Sequence, residues 1–585
     1  PTRRNLAVLI HTGRSYVVLV PSSAAVDLRP PDTVMKLARL GSFHQTRLSF
    51  MRVLLRRLVR EHWTFERVRF DITEPGVGVA VYEARGPERT YSLVVFAHDL
   101  AADQRSDRVI AQAWDSTFTL VDGVTDNETI ERLAANVPLQ EAGRVSAGEL
   151  TLSRANRSVR LFEHVVDRLA AGEQPDPVKL AEVGYLMRTT AVYGSGKFGL
   201  ADRERIAGRP ELAGPFQAEM LTVFLVRAFS LDLVEHLAQL RSPATAVTME
   251  PSLRRTLGVG NATGLGMAPF VINHPSLFSN WIVAKETALA RVRALSEAEP
   301  PAQARFLELL ERARLNAASW RSVHELQVEK VATLVADLDS LAAAAPEIIT
   351  GPEPWDRLVR WAEDSLGLEG QEQLVSLVLE PYGELVDDLA TAMGSDEGAV
   401  FDIDGFMSTG DLTALVADVY GWALGIDWTD LDETARAWYV SEDKLEPRMG
   451  ERHVEAIEPY ESPLAPGRDA ARLYTDLLAW DGEPILAAFL LAHPEHRFVT
   501  RRVQQSTAFP YAEIRENTIS ADVLPIDMLR CKLSYFGATH FDPRSDRWVR
   551  IIMFRHAPFP HELDGLPEDT VDDWCYPPLA AERKR

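Results

Sequence analysis

A mixed α+β fold dominated by helix is what this sequence predicts, and three observations predict it. Short β-rich runs separated by turn residues fill the N-terminal part. Apolar residues at three- and four-residue spacing then recur through most of the chain, and two apolar runs flanking a turn lie near the C-terminus. With 585 residues the chain exceeds the size, roughly 250–300 residues, at which single cores stop growing. The expected units are an N-terminal α+β unit at 1–125, a central helical unit with glycine-rich loops at 126–345, an acidic helical unit at 346–465 and a C-terminal α+β unit at 466–585.

Within the first unit, Val34, Leu37, Leu40, Leu48, Met51, Leu54, Leu55 and Leu58 share a helical face, interrupted at Gly41. Val68–Glu74, Val77–Ala84 and Thr90–His98 are strand-like. Glu74-Pro75-Gly76 and Arg85-Gly86-Pro87 separate them with turn chemistry. Together with Arg108–Ala113 and Thr117–Val121 they predict an antiparallel meander covered on one face by the helix. Leu6–Ile10 follows paired arginines but is too short for an export signal, and reads as a buried strand.

From about 145 onward helical periodicity takes over: Val159–Leu169 before Gly172, then Val178–Val192, Phe216–Leu240, Trp281–Leu295 and, as two helices, Phe306–Leu341. Trp355–Ser365, Gln371–Met393 and Leu412–Leu424 continue it through the acidic stretch. Pro459, Pro463, Pro466 and Gly467 mark a linker, and Ala470–Leu491 is again helical. Lys532–Thr539 and Trp548–Phe554 predict a hairpin around Asp542-Pro543-Arg544-Ser545-Asp546, and the proline-rich tail from Ala557 is expected on the surface.

Charge is distributed unevenly. Residues 1–70 hold 13 Arg/Lys against 4 Asp/Glu, whereas residues 351–470 hold 7 against 28. The acidic stretch repels phosphate, so neither nucleic acid nor a membrane is expected as partner. No apolar run reaches the ~18–20 residues of a membrane helix. Arg52, Arg56, Arg57 and Arg60 are expected to dock on the acidic region rather than on an external phosphate. Two cysteines, Cys531 and Cys575, build no disulfide framework and fit a reducing cytoplasm. A homo-oligomer is left open.

Standard catalytic motifs fail in turn. Gly194-Ser195-Gly196-Lys197 resembles the end of a phosphate-binding loop, but Ala191 and Phe198 stand where glycine and Ser/Thr are required. Gly258, Gly260, Gly264 and Gly266 miss the dinucleotide spacing by one residue. His493 and His496 lie three apart with too few companions to predict a metal site. Two polar, glycine-rich segments remain, 188–199 and 254–281. In the first, Arg188, Thr189, Ser195, Gly196 and Lys197 can cradle an anion, and Tyr193 adds a hydroxyl. In the second, Asn261, Thr263, Asn273 and Asn280 can orient a polar ligand. His274, with an intrinsic pKa near neutrality, is the expected acid–base, with Lys285 nearby.

These residues suggest an enzyme for a small anionic metabolite, of lyase or isomerase type, using no cofactor and no tightly bound metal. Two alternatives stand beside it. One is an oxidoreductase holding nicotinamide or flavin through non-standard glycine loops. The other is a non-enzymatic scaffold with an acidic partner-binding surface.

Overall fold

The computed structural model describes residues 10–11, 14–15, 28–101, 103–104, 113–139, 148–193, 208–263, 275–320, 325–394, 402–430, 433, 466–515, 526–538, 540–545 and 548–577. The strand expected at Leu6–Ile10, that at Arg108–Ala113, and Pro459 and Pro463 of the expected linker lie wholly or largely outside them, whereas Pro466 and Gly467 are not linker but the buried start of a helix. The fold is mixed α+β, as the sequence predicts. Among the described residues no helix is long and apolar enough to cross a membrane.

Nine strands form the main sheet: β1 (Thr64–Ile72), β2 (Gly78–Arg85), β3 (Thr90–Ala97), β4 (Ser116–Asp122), β5 (Glu149–Arg157), β6 (Tyr185–Tyr193), β7 (Gly258–Thr263), β8 (His540–Ser545) and β9 (Trp548–Met553). Their spatial order is β1-β2-β3-β4-β5-β6-β7-β9-β8. The meander β1 to β6 is antiparallel throughout, β6 and β7 run parallel, and the hairpin β8–β9 completes the sheet antiparallel to β7. One sheet thus takes strands from three of the expected units. Edge strand β1 is largely exposed and carries Glu66, Arg67, Arg69 and Asp71, charges that discourage pairing with another chain.

The helical face expected from Val34 to Leu58 is helix α1 (Phe50–Arg60) only from Met51 on, while Val34 and Leu37 lie in short turns and Leu40 and Leu48 outside any helix. A Cβ on Gly41 would meet the Arg530 carbonyl oxygen at 2.2 Å, so two backbones touch there. One face of the sheet is covered by the long helix α2 (Gln217–Arg241). Phe229 packs edge-on to Tyr82 and Phe118, Phe224 packs on Phe65, and the hydroxyls of Thr151 and Thr222 share a 2.7 Å hydrogen bond. On the other face Ile130, Leu133 and Val137 cover Val81, Val94, Phe96, Val121 and Leu152.

Helices α3 (Pro275–Arg293), Pro300–Ser319, Glu325–Ile348, Pro354–Ser365 and α4 (Leu368–Val378) extend the same hydrophobic core. A second, smaller core is built by α5 (Thr409–Val419), α6 (Pro466–Ala479), α7 (Leu486–Ala492) and α8 (Arg497–Ser506). The helix expected over 470–491 is therefore two helices, broken around Gly482 and Pro484.

Three local expectations are corrected. Val178–Val192 is not one helix: a short helix, Pro177–Val183, ends at Gly184 in the left-handed region (φ 74°), and β6 follows. Lys532–Phe536 is not a strand but the end of helix α9 (Ile526–Phe536), and the hairpin begins only at His540. The tail does not wrap over the surface. Ala557, Phe559, Val571, Trp574, Cys575 and Tyr576 are buried in the main core. Arg227, fully buried on α2, donates to the carbonyls of Leu257 (2.7 Å) and Ala557 (2.8 Å) and lies over the Phe559 ring at 3.8 Å.

Candidate functional site

The described strands of the two segments expected to hold a ligand pair in the middle of the sheet. Arg188 of β6 is in register with Gly260 of β7, and Thr189 with Asn261. Arg188 is 1% exposed, opposite Asn156 of β5. The Thr189 hydroxyl donates to the Gly260 carbonyl at 3.4 Å, and the Asn261 side-chain oxygen is buried with no hydrogen-bond partner among the described residues. Strand packing accounts for two of the glycines. A Cβ on Gly258 would meet the Met553 carbonyl oxygen at 2.4 Å, and one on Gly260 the Tyr185 ring at 2.6 Å. These positions serve close backbone approach within a strand, so they do not belong to a phosphate-binding turn.

Because β6 and β7 are parallel, they end on the same side of the sheet, β6 at Tyr193 and β7 at Thr263. The glycine runs of both segments follow directly from these neighbouring ends. Ser195, Gly196, Lys197, Asn273 and His274 lie outside the described residues, as do the side chains of Tyr193 and Thr263. The two remaining candidates sit on α3 among other partners. Asn280 donates to the Gly394 carbonyl at 3.3 Å, and Lys285 to the Arg39 carbonyl at 3.2 Å.

Lys285 belongs to a buried ion network. Arg29 holds Glu286 through Nε (2.8 Å) and Nη2 (2.9 Å), and reaches Glu372 of α4 at 3.0 Å. Arg39 joins Glu372 at 3.2 Å and the Lys285 ammonium stands 3.5 Å from it. Burial alone would raise the Glu372 carboxyl, but Arg29, Lys285 and Arg39 outweigh it and hold it below its ordinary value.

A second network answers the expectation for the basic N-terminal arginines. Arg52 grips Glu380 through two 2.6 Å hydrogen bonds and donates to Asp572 at 3.0 Å; Arg56 donates to Asp572 at 2.7 Å. Arg47 makes a two-bonded contact with Asp387 at 2.7 and 2.8 Å. Of the four arginines expected on the acidic region, Arg52 and Arg56 therefore dock on acids there and on Asp572, which pins helix α1 to the C-terminal tail, whereas Arg57 donates to the Glu211 and Ala213 carbonyls and Arg60 is exposed. Burial opposes ionisation of Asp572, yet Arg52, Arg56 and Arg47 hold it well below the usual carboxylate range.

Sequence reasoning missed a third polar group. His44 is hydrogen-bonded to Gln373 (Nδ1–Oε1 3.1 Å) and stacks on Tyr576 with ring centroids 4.6 Å apart. Ser42 Oγ donates to the His44 carbonyl at 2.6 Å and lies 2.8 Å from Ser376 Oγ. Burial lowers the His44 imidazole to about 4, against the opposing hydrogen bond from Gln373. The hydrophilic run Ser42–Ser49 carries no signal that it lies in the interior.

In the smaller core, Glu513 accepts from the Tyr420 hydroxyl at 2.8 Å and from Arg502, while Arg515 pairs with Asp32. The Glu513 and Arg515 side chains thus serve different contacts. The same unit holds a cluster that the sequence pattern left incomplete. Asp476 of α6, His493 at the end of α7 and His496 each offer a ligand atom, and these atoms all lie within 4.8 Å of one another. His493 and His496 were visible as a spaced pair, whereas nothing in the sequence ties Asp476 to them.

No protein-family model, no curated protein and no solved structure matches the chain, so its likeness to known proteins assigns neither family nor activity.

Proposed function

We propose that the chain is an enzyme acting on a small anionic metabolite by acid–base chemistry, of lyase or isomerase type, at the side of the sheet where β6 and β7 end. The observation that carries this reading is the parallel register Arg188–Gly260 and Thr189–Asn261. It pairs the strands that lead into the two polar, glycine-rich segments, and the ends of adjacent parallel strands are where α/β sheets commonly receive ligands. In this reading Arg188 and Lys197 hold the anion. Thr189, Ser195 and Asn261 supply neutral hydrogen bonds, His274 serves as the acid–base group and Tyr193 contributes a hydroxyl. Lys285 is left out, because its ammonium is already engaged by Arg39, Glu372 and Glu286.

The test is ligand binding. A panel of small carboxylates and phosphate esters is screened by thermal shift, and any binder is measured by calorimetry against Arg188→Lys and Lys197→Ala. A guanidinium grips a carboxylate or phosphate through two parallel hydrogen bonds that an ammonium cannot reproduce. Loss of one charge-assisted bond is worth about 1.5–3 kcal/mol, so Arg188→Lys is expected to weaken affinity on the order of tenfold or more. Normal binding by Arg188→Lys, with unfolding of Arg188→Ala, makes the arginine a structural member of the sheet and removes the reading.

A further inference from the structure

We infer that Asp476, His493 and His496 form a binding site for a first-row transition-metal ion of the zinc class, separate from the sheet site. Two imidazoles and one carboxylate are the ligand set that such ions favour, and one that magnesium or calcium does not. Three protein ligands also leave room in a four-coordinate shell for water or another small ligand.

The local fold gives the residues their positions. Pro494 opens a single 3-10 turn, Pro494–His496, directly after α7. Three residues per turn brings positions i and i+3 over one another, so His493 and His496 share a side. The turn is closed by the His496 N–H donating to the His493 carbonyl at 3.1 Å, and His493 itself caps α7 by donating to the Phe489 carbonyl at 2.8 Å. The buried Phe489 ring stacks on both imidazoles, with centroids 4.8 Å from His493 and 5.8 Å from His496, and the Trp480 ring stands edge-on to His493 at 5.9 Å. Side chains held this way lose little freedom on binding an ion.

Asp476 approaches from α6, with Oδ2 2.7 Å from His496 Nε2. A metal ion takes the place of the hydrogen between them. If His496 is neutral, a shift of its proton from Nε2 to Nδ1 frees the lone pair; if it is cationic, one proton is released to solvent. Ligand atoms about 2.0–2.2 Å from a tetrahedral ion stand about 3.3 Å from one another. Half-buried His493 and Asp476 can turn inward by the distance needed, while buried His496 stays fixed. Glu495, its carboxylate 3.3 Å from His493 Nδ1, can orient that ring from outside. Bound metal would clasp the 493–496 turn to α6 across the smaller core.

The probe is Co²⁺, added to the tag-free full-length chain after chelator treatment. We expect visible absorption bands of a nitrogen- and oxygen-ligated ion that saturate at one ion per chain and vanish on adding Zn²⁺. His493→Asn and Asp476→Asn change half-buried positions, so both chains should fold, which far-ultraviolet circular dichroism checks. Each is expected to weaken Co²⁺ binding by about 100-fold or more, since even outer partners of a metal ligand are worth about 10–100-fold. Absence of bands in the parent chain at millimolar Co²⁺ overturns the inference. So does binding that survives unchanged in either variant.

Discussion

The two hydrophobic cores of this molecule are assembled from very different distances along the chain. The main core draws on residues from Val34 to Tyr576, and its buried polar contacts are equally remote: the Ser42 backbone N–H donates to the Ser534 hydroxyl oxygen, and Arg52 reaches Asp572. The smaller core is made only from residues between Leu412 and Val503. The larger assembly depends on ion pairs that join the two ends of the sequence, whereas the smaller one depends on local apolar packing and one polar seam at Glu513. Removing a buried charge should therefore damage the first globally, and removing a methyl-rich side chain should damage the second locally.

The sharpest way to break this comparison is Asp572→Ala. It leaves Arg56 with only the longer 3.5 Å contact to Asp387 and Arg52, fully buried, with Glu380 as its one carboxylate. Stripping one partner from a buried pair costs about 3–5 kcal/mol, and denaturant unfolding should show that loss in the transition of the sheet. The same pair makes the main core acid-sensitive. A carboxyl held low in the folded state contributes stability above its unfolded pKa, about 4, and loses it as pH falls further. Equal destabilisation of both cores by Asp572→Ala would mean that they unfold as one.

Leu473→Ala is the counterpart in the smaller core, where Leu473 is fully buried. A Leu→Ala cavity costs about 2–5 kcal/mol, depending on how far the site collapses. Limited proteolysis should then cut within residues 402–506 while the sheet remains protected. Loss of sheet protection would show that the small unit supports the main body.

A smaller effect distinguishes the cores by pH. The buried His44 imidazole is lowered to about 4 from its ordinary value near 6.5. The unfolded chain therefore binds a proton that the folded chain refuses as pH falls from 6.5 toward 4, and stability declines across that window. By pH 5 the cost is about 2 kcal/mol. His556, lowered to about 3 by burial and by neighbouring arginines, acts in the same direction. His44→Gln should flatten the decline in urea titrations by its share and leave the smaller core's transition unmoved.

How far the sequence revealed this arrangement follows from burial. Helices with a wet face, such as Pro300–Ser319 and Pro354–Ser365, were legible because charge and apolar stripe alternate around them. Strand β6 and helix α9 were not, because Tyr185, Leu186 and Met187 are buried in succession in one, and Arg530, Cys531, Leu533, Ser534 and Tyr535 are all buried in the other. Continuous burial erases the period that separates strand from helix. Of the candidate site, the kinship of the 188–199 and 254–281 segments could be read from their shared composition, and the strand register makes their described parts neighbours. Asp476 could not be read, since only the packing of α6 beside the 493–496 turn brings it to the two histidines.

The smallest expected effect lies on the seam between the cores. Tyr420 is wholly buried on the C-terminal side of α5, and its hydroxyl donates to Glu513 at 2.8 Å with Ser506 Oγ 3.2 Å away. Burial and the neighbouring Glu513 carboxylate both raise the phenol's pKa, so it stays a neutral donor at any pH where the protein is folded. Tyr420→Phe deletes this donor and keeps the ring. Glu513 retains Arg502, so no buried charge is abandoned, and the loss is that of one hydrogen bond to an ionised acceptor. That is about 1.5 kcal/mol, the low end for a bond to a charged group, and below the cost of stripping the Glu513 carboxylate from its buried pair with Arg502. The loss should appear in coupling rather than in either core. In calorimetry the two transitions of Tyr420→Phe should separate further than those of the parent chain, with the sheet's own midpoint unchanged. A matching drop in the sheet's midpoint would place Tyr420 in the main core's cooperative unit and erase the distinction between the two regions.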